Sequence, residues 1–370
     1  MVTLDTNIPA QHRSVGIRGS FGLTLQDRRF LIAALLMLLA IRLLFMLWLP
    51  FTDTTEARYV EIARKMIETG DWITPQFDYD VPFWGKPPLH TWFSALGMQI
   101  FGVGGFGARI FILLSGLSVL GLTGVFMKRY VGAEQALVAV VALLSSVLFF
   151  GASAFVMTDM VMTLGITLSM VAFFTQVTDQ TGQRIWGHLF FVGLAVGLLA
   201  KGPVALVLTL MPIGLWILLG KRWSLVWALP WRTGMALLLA LTLPWYIAAE
   251  LKTPGFLRYF LIGEHFERFT VSGWQGDLYG SGHARAKGLI WLYLSFAMGS
   301  GANAALYASR QYSRRIYPPW NAGRRPSAGV ALVVGSRPPR ARCKDGVRRL
   351  HRCSDSTVCH HHLVVESCAG

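Results

Sequence analysis

The chain has 370 residues, of which 54% are hydrophobic and only 14% charged, and its formal net charge is +15. Soluble domains carry about a quarter charged residues, so this composition excludes a disordered protein and argues against an ordinary soluble domain. A basic soluble chain would suggest nucleic-acid binding. A basic chain this apolar instead indicates the Lys- and Arg-rich loops of a membrane protein, in contact with membrane lipids and with no nucleic acid.

The cysteines are confined to the C-terminal part of the chain, at Cys343, Cys353, Cys359 and Cys368. The apolar body therefore contains no disulfide, which excludes a secreted disulfide-stabilised scaffold. The N-terminal segment 1–29 is polar and basic, and the first apolar run after it is too long for the core of a signal peptide. We interpret that run as an uncleaved first span.

Eight apolar runs predict the fold, because a transmembrane helix needs about 20 apolar residues. They lie near 30–50, 107–127, 134–151, 159–177, 185–200, 203–220, 233–250 and 286–300. We therefore expect an all-α, polytopic transmembrane bundle of about eight spans. The apolar segment 89–101 is too short to cross, since a helix of that length covers about 20 Å, and it is expected at the interface.

Three regions are predicted along the chain: a cytoplasmic basic segment 1–29, a membrane domain 30–300, and a tail 301–370. The tail is rich in Arg, Pro, Gly and Ser and has no helical or strand period, which predicts disorder. The change near residue 300 is abrupt and suggests a tail translated out of frame. A natural basic tail that binds anionic lipid is the alternative.

The basic residues also predict the orientation, because cytoplasmic loops collect Lys and Arg. Lys128, Arg184 and Lys221 fall on one side of the membrane if each run crosses once. The long loops 51–88 and 251–285 then lie on the outer, periplasmic side. The same topology places seven ionisable residues at or near that outer face: Asp53, Glu56, Lys86, Asp159, Lys201, His265 and Arg268. Such residues are costly at span ends unless paired or functional, and this mixture predicts an anion-handling site.

Each acidic candidate has a structural alternative. Asp53 and Glu56 precede an amphipathic stretch with an apolar face, so they suit either the cap of an interfacial helix or a general base at the bilayer boundary. Asp159 lies between two apolar runs and is either a helix cap or part of a site.

The basic candidates are equally open. Lys86 is flanked by tryptophans and prolines, as in a phosphate-binding loop or an interfacial anchor. Lys201 precedes Gly202 and Pro203 in a tight turn that does not itself require a lysine. Arg268 is a candidate forked phosphate ligand, and His265 a candidate metal ligand or a solvated histidine.

Together these motifs resemble the GT-C class of membrane glycosyltransferases over about residues 25–295. The matching segments are Asp53 or Glu56 with Arg58–Tyr59, Gly70–Asp71–Trp72, Lys86–Pro87–Pro88–Leu89, Asp159, Lys201–Gly202–Pro203, Pro244–Trp245–Tyr246 and Glu264–His265–Phe266–Glu267–Arg268–Phe269. They are most similar to the 4-amino-4-deoxy-L-arabinose transferases of lipid A and to the dolichyl-phosphate-mannose protein mannosyltransferases. Each motif alone is weak, but their combination and order are specific.

The resemblance implies a multi-pass enzyme of the bacterial inner membrane whose site faces the periplasm. It would transfer a sugar from a polyprenyl-phosphate donor to a lipid or protein acceptor. In this class an acid of the first long loop is catalytic, here Asp53 or Glu56. Cations matching Lys86, Lys201 and Arg268 hold the donor phosphate, with Arg58 and Tyr59 as further candidates.

The same resemblance implies that Asp159 orients the donor, the acceptor or a metal, and that His265 can bind a divalent metal. Two departures from the arabinose transferases bear on these roles: Thr55 stands where they have an aspartate, and Gly85 where they have an acid. The family also continues through further spans, so the chain is interpreted as truncated. A transporter and an inactive fragment of the transferase are the alternative interpretations.

Overall fold

The computed structural model describes residues 22–178, 184–271 and 278–279. Ten helices are numbered in these ranges: α1 (Leu25–Trp48), α2 (Thr54–Thr69), α3 (Leu89–Phe101), α4 (Gly105–Tyr130), α5 (Ala133–Ser145), α6 (Val147–Ala152), α7 (Thr158–Thr178), α8 (Ile185–Lys201), α9 (Pro203–Leu219) and α10 (Trp231–Lys252). A 3₁₀ helix at Trp223–Ala228 precedes α10, and a π-helical segment, Arg258–Glu267, follows it with a final turn at Arg268–Thr270. Strands β1 (Gln76–Asp78) and β2 (Val81–Pro82) form an antiparallel hairpin in the first long loop.

The predicted polytopic helical fold is confirmed. Within the described ranges, α1, α4, α7 and α10 are long and apolar enough to cross a membrane, and α5, α8 and α9 are shorter apolar helices. The eighth predicted run, 286–300, lies outside the described residues. So do the tail 301–370 and most of the N-terminal segment 1–29.

The third predicted span, 134–151, is divided into two helices. Helix α5 ends at Ser145, and Ser146 has the extended backbone angles φ −64° and ψ 124° before α6 begins. The Ser145 hydroxyl donates to the carbonyl of Ala142 at 3.1 Å. Serine side chains that bond to nearby backbone groups favour helix ends, which accounts for the break.

Helix α2 is the amphipathic helix expected in the first long loop. Asp53 caps its start, and Gly70 ends it in the left-handed region at φ 68°. Its apolar face includes Tyr59, Ile62 and Met66, which are buried in a core shared with residues of α3. Protein side chains therefore cover this face, and the packing against α3 holds the helix in place.

Helices α7 and α8 approach each other closely through small residues. A Cβ atom at Gly193 would collide with the Ser169 side chain and the Gly165 carbonyl. The Ser169 hydroxyl also donates to the carbonyl of Phe190 across this interface at 3.0 Å. Small residues let transmembrane helices pack backbone to backbone, which substitutes for the hydrophobic effect inside lipid.

The turn between α8 and α9 positions Lys201. Gly202 has φ 86°, a left-handed conformation that glycine adopts without steric cost, and Pro203 is the first residue of α9. The ring of Phe260 lies where a Cβ of Gly202 would be. Lys201 therefore ends α8 at a fixed place against the segment that follows α10.

We expect Gly193→Val to lower the thermal unfolding midpoint, with a loss of about 1–3 kcal/mol from overpacking. Gly121→Val on α4 is the matched control, since a Cβ there meets nothing within 4 Å. Both variants would be unfolded in the same detergent and followed by circular dichroism. Equal midpoints for the two variants would contradict the close α7–α8 contact.

Candidate active site

Asp53 is an exposed helix cap. Its Oδ1 accepts the backbone N–H groups of Thr55 at 2.7 Å and Glu56 at 3.1 Å. The capping geometry anticipated from the sequence is therefore present, and it occupies only one carboxylate oxygen in these two bonds. The side chain remains open to other partners.

Glu56, one turn away, has a different environment. Its side chain is fully buried, and Arg109 of α4 donates from Nε and Nη2 to its two carboxylate oxygens, each at 2.8 Å. The backbone N–H of Val156 also donates to Oε1 at 3.1 Å. Both oxygens of Glu56 are therefore paired within the protein.

Glu264 gathers two of the three predicted phosphate-binding cations. Its Oε2 lies 3.3 Å from Lys86 Nζ and 2.9 Å from Arg268 Nη1. The Tyr259 hydroxyl donates to the other oxygen at 3.3 Å. Burial lowers the pKa of Lys86 from its ordinary value, while the charge of Glu264 acts to raise it. Lys86 and Arg268 thus share a mostly buried counter-anion.

The third cation pairs with an acid from a neighbouring helix. Lys201 Nζ lies 2.6 Å from Asp159 Oδ1, which joins the end of α8 to the start of α7. The Asp159 side chain is 48% exposed and that of Lys201 28% exposed. This pair is more accessible than the Glu56–Arg109 pair.

The Lys86–Glu264–Arg268 group and the Lys201–Asp159 pair both lie close to Tyr59 and His90. Lys201 and Arg268 both act electrostatically on the Lys86 ammonium. Burial, aided by the charge of Asp159, raises the pKa of Tyr59 to about 12. Burial lowers the pKa of His90 to about 3, so its ring is neutral at pH 7. The site therefore contains three cations, two carboxylates and two uncharged rings.

Tryptophan side chains fasten the first long loop that carries Lys86. Trp92 donates from Nε1 to the carbonyl of Trp72 at 2.7 Å, Trp245 to that of Ile73 at 2.8 Å, and Trp84 to the Thr253 hydroxyl at 3.1 Å. An ion pair of 2.8 Å between Lys252 and Asp71 adds a further link to α10. These indoles bond within the protein, so they position the loop as well as providing apolar surface.

The remaining candidates lie at the edge of this cluster. The Arg58 guanidinium lies 5.9 Å from the centroid of the Phe77 ring. His265 Nδ1 is 2.6 Å from the carbonyl of Phe260. Within the described ranges, no group of three or more His, Cys, Asp or Glu residues is arranged to hold a metal ion. The metal-binding role of His265 therefore stays a prediction.

The sequence interpretation missed Arg109 and assigned no role to Glu264. A signal for Arg109 was present, because an arginine inside an apolar run needs a partner. Glu264 belongs to a quoted motif, but its pairing with Lys86 depends on the long-range packing of the loop after α10. No local pattern contains that information.

A comparison of the sequence with family models decides the relationship. The model of the dolichyl-phosphate-mannose-protein mannosyltransferase family matches residues 27–260. The chain belongs to this mannosyltransferase family. The motif-based resemblance is thereby confirmed, and the transporter interpretation is not favoured.

The curated relatives of this chain include two undecaprenyl phosphate-alpha-4-amino-4-deoxy-L-arabinose arabinosyl transferases. The Edwardsiella ictaluri protein is 30% identical over 253 residues, which cover 67% of this chain and 43% of the relative. The Aeromonas hydrophila protein is 31% identical over 254 residues, covering 67% and 44%. The chain therefore spans less than half the length of these relatives.

Solved structures support the same fold. ArnT from Cupriavidus metallidurans bound to undecaprenyl phosphate aligns with a TM-score of 0.65 at 24% identity, covering 80% of this chain and 52% of that one. The apo structure of the same protein gives a TM-score of 0.63. At 24% identity, this structural similarity establishes the polytopic helical fold of the chain.

We expect Arg109→Leu to destabilise the protein by about 3–5 kcal/mol, because it leaves Glu56 buried without a partner. Adding Glu56→Leu should recover part of that loss. Arg64→Leu is the control: Arg64 pairs with Glu61 at 2.7 Å on the solvated side of α2, and its loss should have little effect. Chemical denaturation in detergent would rank the variants. Similar stabilities for Arg109→Leu and Arg64→Leu would contradict the buried-pair interpretation.

Proposed function

We propose that this chain carries the donor site of a membrane glycosyltransferase. The enzyme transfers a sugar from a polyprenyl-phosphate donor to a lipid acceptor. The site faces the periplasm of a bacterial inner membrane. The names of the arabinosyl transferase relatives support the donor class, and the helices long enough to span a membrane support a multi-pass protein.

The observation that carries this proposal is the cluster of Lys86, Lys201 and Arg268. When the sugar is transferred to the acceptor, the polyprenyl phosphate leaves as an anion, and preorganised cations stabilise the negative charge that develops on its oxygens. Glu264 now occupies the space between Lys86 and Arg268. The donor phosphate would compete with that carboxylate for Lys86 and Arg268. Its negative charge would balance the excess of three cations over the two carboxylates of the cluster.

The acceptor hydroxyl must lose a proton as it attacks the anomeric carbon. Of the two acids at the start of α2, only Asp53 has an exposed carboxylate, whereas Glu56 is fully buried and paired with Arg109. We therefore assign the general-base role to Asp53. Asp159, half exposed beside Lys201, would orient a hydroxyl of the donor or acceptor.

Donor binding provides the first test. Lys86→Ala, Lys201→Ala and Arg268→Ala should each weaken binding of a polyprenyl phosphate by about 1–3 kcal/mol, since each removes a charge-assisted hydrogen bond. Lys128→Ala, in the last turn of α4, is the control and should bind like the parent. Binding would be measured in detergent with a fluorescent polyprenyl phosphate. Parent-like affinity in all three variants would overturn the donor-site assignment.

Catalysis provides the second test, since capping and base chemistry respond differently to one substitution. Asp53→Asn retains a capping oxygen but removes the basic group, so the protein should fold normally and transfer sugar about 10²–10⁴ times more slowly. Transfer would be assayed with a polyprenyl-phosphate sugar and a lipid acceptor. Asp159→Asn is the comparison: a parent-like rate for Asp53→Asn with a large loss for Asp159→Asn would move the base to Asp159.

A further inference from the structure

The adjacent residues Trp245 and Tyr246 of α10 belong to a sequence motif that the proposed chemistry does not use. Trp245 is 7% exposed, and Tyr246 is partly buried. Their rings contact each other edge-on, with 4.9 Å between centroids. Tryptophan and tyrosine usually place their polar atoms on a hydrogen-bond partner when they are buried, so the partners indicate what this pair holds.

The Tyr246 hydroxyl bonds to the end of the helix that carries Lys201. It donates to the carbonyl of Leu198 at 3.0 Å, and the backbone N–H of Gly202 donates to the same oxygen, also at 3.0 Å. A carbonyl oxygen has two lone pairs and can accept both bonds. Lys201 is the last residue of α8 and lies between the two bonded backbone groups. Tyr246 therefore restrains the turn of backbone that positions the Lys201 ammonium.

The Trp245 indole holds a different segment, the first long loop. Its Nε1 donates to the carbonyl of Ile73 at 2.8 Å. Two residues further along, the carbonyl of Pro75 accepts the backbone N–H of Phe83 at 2.7 Å, three residues before Lys86. The part of the loop that carries Lys86 is thus tied to α10 through Trp245.

An apolar cluster around these two rings joins the segments that carry the three cations. Its members come from α8, α10, the segment after α10 and the residues on either side of Lys86, and they include Leu199, Trp245, Phe256, Phe260, Trp84 and Leu89. The Tyr246 ring lies 6.2 Å from the rings of both Phe256 and Phe260. The pair therefore lies where these segments pack together.

We propose that Trp245 and Tyr246 are positioning residues that set the spacing between Lys86 and Lys201. This role rests on the proposed donor site, in which both cations bind the donor phosphate. Charge-assisted hydrogen bonds to phosphate need distances of about 2.7–2.9 Å, so a shift of about 1 Å in either cation weakens its contact. Because the two positioning residues are consecutive in one helix, that helix fixes the separation of the segments bonded to them.

The test is a set of double-mutant cycles on binding of a fluorescent polyprenyl phosphate in detergent. Tyr246→Phe removes only the hydroxyl and keeps the ring that packs against Phe256 and Phe260, so the protein should fold. It should weaken binding about fivefold in the parent, as residues that act together typically do. In a Lys201→Ala background it should weaken binding less than about twofold, because the cation that it positions is gone. In a Lys86→Ala background it should keep its full effect.

Trp245→Phe gives the reciprocal cycle. It removes the indole bond to the first long loop, so it should weaken binding about fivefold in the parent and in the Lys201→Ala background, but less than about twofold in the Lys86→Ala background. Trp231→Phe is the matched control in the first turn of α10, since it removes an indole bond to the carbonyl of Val226 at 2.6 Å. This control should bind like the parent in all three backgrounds.

Two results would overturn the positioning role. One is parent-like binding by both Tyr246→Phe and Trp245→Phe. The other is equal weakening in all three backgrounds, which partial unfolding would produce. Parent-like binding by Lys86→Ala and Lys201→Ala alone would instead overturn the donor site on which this role rests. The Tyr246→Phe cycle remains decisive even if Trp245→Phe fails to fold.

Discussion

The buried ion pair between Glu56 and Arg109 holds four segments together at one end of the bundle. Arg109 bonds to both oxygens of Glu56 and donates to the carbonyl of Leu49 at 2.7 Å. Glu56 in turn accepts the backbone N–H of Val156, just before α7. One pair thus joins the end of α1, the start of α2, the start of α4 and the approach to α7. Removing either partner would leave a buried charge uncompensated, so these four segments depend on each other.

The Glu56–Arg109 pair fixes the first turn of α2. It therefore also sets the orientation of the rest of this helix. Tyr59 lies within one turn of Glu56 and contacts the His90 ring edge-on at 4.7 Å between centroids. His90 belongs to the first turn of α3, directly after the loop that carries Lys86. The Glu56–Arg109 pair positions Tyr59, and the tryptophan hydrogen bonds position the loop that carries Lys86. Both therefore help to hold the residues of the charged cluster in place. Preorganisation of this kind is what electrostatic catalysis requires.

The sequence contained most of the fold but only part of the site. Apolar runs predicted every span-like helix in the described ranges because lipid exposure requires a long apolar segment, and the period of α2 predicted its buried face. The break at Ser146 was missed because a single serine pair interrupts a run without lowering its hydropathy. The convergence of Lys86, Lys201 and Arg268 was predicted from topology, since span ends on one side are neighbours. The acids that pair with these cations were not predicted. The pairing of Glu264 with Lys86 and of Asp159 with Lys201 depends on packing between segments that are distant in the sequence.

The acids at this face illustrate how burial separates chemically similar groups. Glu56 is fully buried and paired on both oxygens, which makes its charge structural. Glu264 is nearly as buried, but it pairs with Lys86 and Arg268, which are also suited to bind a phosphate. Asp53 is exposed and caps α2 through its Oδ1 atom. Motif position alone could not distinguish Asp53 from Glu56, whereas Arg109 of α4 pairs with Glu56 and leaves Asp53 exposed.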